Sequence, residues 1–264
     1  MDKPWLPRYA LLAAASSLIL LITGAVTAPD TTAYLRILGA VGVLSLGLLA
    51  GARKTAAARS SVLFFSLVVV DGFLAGMFAE YPKLAGVAHS CVLCGSFSMA
   101  VMSAVRLSRA WSGPAVMLED SGNPPLRSVA VFSVCGLAVQ VGLGASFRRE
   151  AIPVIPHILG AMLASAVILY LVMAVFMQYS SHRELMYPAV ALSGLIAAQL
   201  LLGIGAYLNK VGSPIVGFPP QLFSAAHIVT GSLTMAATAL LTLQIHRHIP
   251  VRGISGQHSL AVHN

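Results

Sequence analysis

The sequence predicts an all-α, polytopic membrane protein with eight transmembrane helices arranged as two tandem four-helix-bundle repeats. Of its 264 residues, 58% are hydrophobic and only 9% are charged, whereas a soluble domain has about 25% charged residues. Eight apolar stretches are each long enough to cross a bilayer. The two parts of the chain on either side of one long polar segment share a pattern of polar, glycine and histidine residues, which indicates an internal repeat.

The eight spans follow from the length of each apolar stretch. A spanning helix needs roughly 20 apolar residues. The stretches that meet this requirement are 9–28, 35–52, 60–79, 84–105, 128–147, 154–178, 186–208 and 222–245. Pro153 and Pro156 stand at the beginning of the sixth stretch, where proline is tolerated because the first N–H groups of a helix have no partner within it.

The positive charges predict the orientation, because cytoplasmic loops have an excess of lysine and arginine. If the N-terminus is cytoplasmic, the inner side has Lys3, Arg8, Arg53, Lys54, Arg59, Arg106, Arg109, Arg127, Arg183, Arg247 and Arg252. The outer side then has only Arg36, Lys83, Arg148, Arg149 and Lys210. We therefore expect an integral protein of a bacterial inner (plasma) membrane, with both termini in the cytoplasm and the lipid bilayer as its surroundings. No basic run is interleaved with aromatic residues, so we expect no nucleic-acid partner.

The long polar segment divides the predicted spans into two groups of four. We expect an N-terminal four-helix half over 1–110, a cytoplasmic linker over 111–127, a C-terminal four-helix half over 128–250 and a cytoplasmic tail over 251–264. Two parallel repeats with an even number of spans fit a pseudo-two-fold axis along the membrane normal.

The repeat consists of a polar residue in one span, glycines after it, and a histidine early in the next span. Three helix pairs contain it, as Asp71 and His89, Gln140 and His157, and Gln199 and His227. In the remaining pair the position predicted to be histidine is Arg36, or Leu35 in a register shifted by one.

Ionisable residues within a membrane are rare and usually functional, although a histidine can simply hydrogen-bond to a neighbouring helix. The second half has no carboxylate or thiolate at the depth of His157 and His227, which disfavours zinc and non-haem iron. A haem needs only two axial nitrogens and apolar walls. We therefore predict that His157 and His227 are axial ligands of haem iron. Arg148 and Arg149 are either contacts of the haem propionates or interfacial anchors.

With these features the sequence resembles the haem A synthase family of cytochrome oxidase assembly proteins, most closely over 140–160 and 199–231. The resemblance implies a b-type haem between His157 and His227 in the C-terminal half. It also implies that the N-terminal half, with His89 as a candidate ligand, oxidises a ring methyl group to convert haem O to haem A.

The second span departs from the family pattern. The family has an E-x-x-H motif there, and the matching stretch, 32–36, contains neither a glutamate nor a histidine. The family's cysteine pair in the first outer loop is also missing. Catalytic residues therefore remain unassigned. The protein is either a divergent synthase with haem O or another haem as substrate, or a non-enzymatic b-type cytochrome that serves electron transfer or a respiratory complex. Its partners would then be other complex subunits or assembly factors. A transporter is disfavoured, because the Gly and Pro interruptions lie at helix ends.

Several other residues have two interpretations. Cys91 and Cys94 share one helical face and form either a redox or metal pair or ordinary packing. Asp71 is either a proton relay or haem contact, or a helix–helix hydrogen-bonding group. The histidines near the C-terminus are expected to belong to a solvated tail, namely His246, His248, His258 and His263.

Overall fold

The computed structural model describes residues 3–212 and 219–250, which contain helices and no β-strand. The helices are α1 (Leu6–Val26), α2 (Thr32–Ala52), α3 (Ala58–Met77), α4 (Pro82–Arg106), α5 (Arg109–Ser112), α6 (Leu126–Arg148), α7 (Val154–Gln178), α8 (Arg183–Lys210) and α9 (Pro220–His248). All except the four-residue α5 are long and apolar enough to cross a membrane. The predicted fold class and all eight spans are therefore confirmed.

The helices begin where the sequence supplies first-turn prolines or a capping hydroxyl. Helices α1, α4 and α9 each have proline in the first two positions, where the missing N–H has no cost. The Thr31 hydroxyl accepts a hydrogen bond from the Tyr34 N–H at 3.3 Å and so caps α2. These local signals determine where α1, α2, α4 and α9 begin.

The helices form two bundles with the same packing order. In each bundle consecutive helices pack together and the last returns to the first, so that α1 contacts α4 and α6 contacts α9. The two bundles meet where α4 packs on α6 and α9 and where α1 packs on α9. Side chains such as Phe132, Leu163 and Leu201 point outward and are 70–71% exposed, as expected of a surface covered by lipid rather than by water.

The linker between the bundles lies against the end of α9. Here the predicted linker boundary shifts, because α6 begins at Leu126 and α5 precedes the extended segment. The Arg247 guanidinium donates to the carbonyls of Trp111 (2.8 Å) and Gly113 (2.6 Å) and lies 4.3 Å from the centre of the Trp111 ring. His248 Nδ1 lies 2.9 Å from the Val116 carbonyl oxygen, and His248 is 4% exposed.

The expectation that His246 and His248 belong to a solvated tail is therefore wrong. Helix α9 continues through His248, and His246 is half-buried with Nδ1 2.9 Å from the Thr242 carbonyl. For His248 the reason is that the extended linker has backbone carbonyls that need donors, and the end of α9 supplies them. His258, His263 and the predicted tail 251–264 lie outside the described residues.

Candidate cofactor site

The two histidines predicted as a pair converge in the second bundle. His157 is in the first turn of α7 and His227 is in the second turn of α9. Their ring centroids are 6.3 Å apart and their planes are inclined by 88°. A metal–nitrogen bond of about 2.0–2.1 Å places an imidazole centre roughly 3.2 Å from the metal, so two rings on opposite sides of one ion would have centres roughly 6–6.5 Å apart. The separation fits a shared metal ion.

A glutamine of the preceding helix holds each of these histidines. Gln140 Nε2 lies 2.9 Å from the His157 carbonyl oxygen and 2.9 Å from His157 Nδ1. Gln199 Nε2 donates to the His227 carbonyl oxygen at 3.0 Å. The polar residue of the repeat therefore connects directly to the histidine that follows it, whichever length the intervening loop has. The sequence repeat predicted that these residues correspond, but not that they touch.

A glycine one turn after each glutamine makes room for the imidazole. A Cβ atom added at Gly144 would lie 2.9 Å from Cε1 of His157, and one added at Gly203 would lie 3.1 Å from Cε1 of His227. In both cases Nδ1 is the next closest ring atom and Nε2 the farthest of the three. The two rings thus have the same pose against their neighbouring helices, as a tandem repeat requires.

The hydrogen-bonding state of the polar atoms of these residues indicates whether a metal-bound group fits here. Within the described residues, Gln140 Oε1, Gln199 Oε1 and His227 Nδ1 are buried and have no hydrogen-bond partner. A histidine that binds metal through Nε2 donates its Nδ1–H to an acceptor. The unpartnered Nδ1 of His227 is available for such a bond. Both rings are also only half-buried. The residues present therefore fit an iron-bound macrocycle.

The first bundle has a different arrangement at the equivalent place. His89 Nδ1 lies 2.6 Å from Asp71 Oδ1, and the Tyr34 hydroxyl donates to Asp71 Oδ2. The Tyr34 and His89 ring centroids are 5.2 Å apart. All three residues are at most 1% exposed. We call Tyr34, Asp71 and His89 the buried triad. It shows that Asp71 pairs with groups on α2 and α4.

Tyr34 stands where the repeat predicted a second histidine, so the assignment of that place to Arg36 or Leu35 is wrong. Both of those residues are exposed, because the buried face of α2 passes through Tyr34, Leu38 and Val41, which recur at the helical period.

A macrocycle does not fit beside His89. Its Nε2 is buried and has no partner within the described residues, but a Cβ added at Gly24 would lie 3.1 Å from that nitrogen. The same Cβ would lie 2.7 Å from Leu93 and 3.2 Å from Tyr34. These close contacts show that the space around Nε2 is filled by the side chains of Leu93 and Tyr34 and by the α1 backbone. The bundle encloses His89 without leaving room for a second large group.

The two arginines after the glycines of α6 reach the first bundle. Arg148 Nη2 donates to the Ala25 carbonyl at 2.8 Å. The Arg149 guanidinium lies 5.0 Å from the centre of the Phe78 ring, and a Cβ at Gly86 would lie 2.5 Å from its Nε. Partial burial lowers the pKa of Arg149 from its ordinary value. Both side chains connect the two bundles, and their contact with haem propionates stays a prediction.

Sequence reasoning missed Phe147 and Lys210 as members of this region. The Phe147 ring is stacked on His157, with centroids 6.4 Å apart and planes inclined by 15°. Lys210 Nζ lies 4.2 Å from the centre of the Phe147 ring and donates to the Phe147 carbonyl at 3.2 Å. Helical spacing was the available signal, because Phe147 lies seven residues after Gln140 and Lys210 eleven after Gln199.

The two cysteines of the C-x-x-C motif lie at the contact between the bundles. Cys94 is buried beside Ser232 of α9. Cys91 Sγ would lie 4.0 Å from a Cβ added at Gly142 of α6. Across residues 3–212 and 219–250, no group of three or more His, Cys, Asp and Glu side chains is placed to hold a metal ion. These contacts explain the cysteines as interface packing.

Comparison with known proteins adds no assignment. No model of a known protein family matches the chain, and no curated protein matches it. Neither the resemblance to haem A synthases nor haem binding is therefore tested by relatives.

Proposed function

We propose that this chain is a membrane haem protein of the haem A synthase and cytochrome oxidase assembly type, with one b-type haem held between His157 and His227. The observation that supports the proposal is the convergence of these two imidazoles, half-buried and 6.3 Å apart. Gln140 and Gln199 orient the two rings, and the apolar helices around them exclude water. When bound, the haem supplies a one-electron redox couple.

The buried triad favours a non-enzymatic b-type cytochrome over a synthase. Oxidation of a haem methyl group in the first bundle needs room for the haem beside His89, and Tyr34, Leu93 and Gly24 occupy that space. In this proposal the protein serves electron transfer or a respiratory complex, with other subunits or assembly factors as partners. Its place is the bacterial inner membrane, with both termini in the cytoplasm.

The spectrum of the purified protein tests the haem assignment. Protein from haem-replete cells should show a Soret band, and its pyridine haemochrome should be that of haem b. His157→Ala and His227→Ala should each give a high-spin five-coordinate spectrum or lose the haem. His182→Ala is the matched control and should keep the low-spin spectrum. A wild-type protein without a Soret band, or an unchanged spectrum in His157→Ala, would refute the proposal.

A second experiment separates the two functions. The protein is expressed in a host that makes haem O but not haem A, and the extracted haems are separated by chromatography. Haem b without haem A is the expected result. The appearance of haem A would establish the synthase and would show that the first bundle opens to admit a substrate.

A further inference from the structure

Two helix faces lead from the histidine pair to the end of the second bundle. On α6, Gln140, Gly144 and Phe147 are separated by four and three residues and therefore share one face. On α8, Gln199 and Gly203 are followed seven residues later by Lys210, again on the same face. The face that orients each imidazole thus continues to Phe147 in one helix and to Lys210 in the other.

Phe147 and Lys210 form a continuous stack with His157. The His157 and Phe147 rings are nearly parallel, and the Lys210 ammonium lies over the Phe147 ring at 4.2 Å from its centre. Phe147 and Lys210 also line an open pocket of about 430 Å³ together with Glu150, Ile152 and Pro153. This pocket lies where α6 and α8 end, and its link to the histidine pair is the Phe147 ring, which is stacked on His157.

Lys210 is a cation without an anionic partner. The salt bridge between His89 and Asp71 is the one ion pair within the described residues, and the bond from Lys210 goes to a backbone carbonyl. Lys210 is exposed, so its ammonium has donors available. Arg148 and Arg149, by contrast, are directed to Ala25 and Phe78 of the first bundle.

We propose that Lys210 binds a propionate carboxylate of the haem held by His157 and His227, an inference that rests on the proposed function. A haem has two carboxylates, and a carboxylate at the edge of an apolar site is stabilised by a charge-assisted hydrogen bond. The contacts with Phe147 hold the Lys210 ammonium in the pocket when no haem is bound. Lys210 is thus a positioning residue that also raises the reduction potential, because a positive charge beside the haem favours ferrous over ferric iron.

The test compares Lys210→Gln with Lys83→Gln and Lys210→Arg in the full-length haem protein. Lys83 is the matched control, because its Nζ also donates to a backbone carbonyl, that of Glu150 at 3.2 Å. The readouts are the midpoint potential by spectroscopic titration and the rate of haem transfer to apomyoglobin. In Lys210→Gln the ferrous-to-ferric ratio at the wild-type midpoint should fall about tenfold, which is about 59 mV for one electron. Haem transfer should be several-fold faster.

Lys83→Gln should have the midpoint potential and haem-transfer rate of the wild type. Lys210→Arg should have a midpoint potential close to that of the wild type. Loss of haem from a folded Lys210→Gln protein, with retention in Lys210→Arg, would also support the proposal. An unchanged potential and transfer rate in Lys210→Gln, or an equal effect of Lys83→Gln, would overturn it while leaving the haem ligands assigned. A wild-type protein without haem would instead overturn the proposed function.

Discussion

Replacement of Gly144 by alanine should weaken haem binding while it strengthens the helix. The added Cβ would lie 2.9 Å from Cε1 and 3.3 Å from Nδ1 of His157. Ordinary contact begins near 3.4 Å, so the ring must move by about 0.5 Å, which is the tolerance within which a binding constellation has to be held. The α6 backbone itself should gain about 0.5–1 kcal/mol, because alanine favours a helix over glycine.

The expected loss of haem affinity is about tenfold, or about 1.4 kcal/mol, since the ring is the movable end of a side chain and adjusts without unfolding the bundle. Gly136 of the same helix provides a matched control, because a Cβ there would meet nothing within 4 Å. Gly136→Ala should therefore strengthen the helix and leave the affinity unchanged. Gly203→Ala, with its closest approach of 3.1 Å to His227, should have a smaller effect than Gly144→Ala.

The assay is a titration of haem into the apo-protein, followed at the Soret band, beside thermal unfolding of each variant in detergent. The structure predicts that Gly144→Ala lowers the haem affinity and raises the unfolding temperature. If Gly144→Ala and Gly136→Ala bind haem equally well with the same low-spin spectrum, then Gly144 does not provide the space for His157 and the reasoning is refuted.

Three further predictions concern the first bundle and the orientation. His89→Ala should keep most of the b-haem absorbance, because His89 is enclosed by the buried triad; loss of most of the Soret band would place the haem in the wrong bundle. Tyr34→Phe removes the donor to Asp71 Oδ2 and should cost about 1–3 kcal/mol, seen as a lower unfolding temperature with an unchanged haem spectrum; an unaltered unfolding temperature would argue against the hydrogen bond. Reporter fusions after residues 54 and 115 should be cytoplasmic and those near 82 and 150 external, as the basic residues predict; one inverted site would contradict the orientation.

The number and position of the spans could be predicted from the sequence because they depend on local composition. Each apolar stretch has to match the thickness of the bilayer, and each predicted boundary differs from the structure by at most three residues. The correspondence of His157 with His227 could be predicted as well, since each follows a glutamine and a glycine of the preceding helix, although the loop between them differs in length. This order of residue types is a property of one helix pair and needs no knowledge of the others.

Contacts between helices remote in sequence were decided only by the tertiary structure. Tyr34, rather than Leu35 or Arg36, lies beside His89 because packing against α1 and α3 selects which face of α2 is buried. Arg148 turns toward Ala25, more than a hundred residues earlier, since the two bundles meet beside α6. A charge pattern indicates the side of the membrane on which an arginine or lysine lies, but not its partner. That partner depends on the rotation and spacing of whole helices, which the side chains of both bundles determine together.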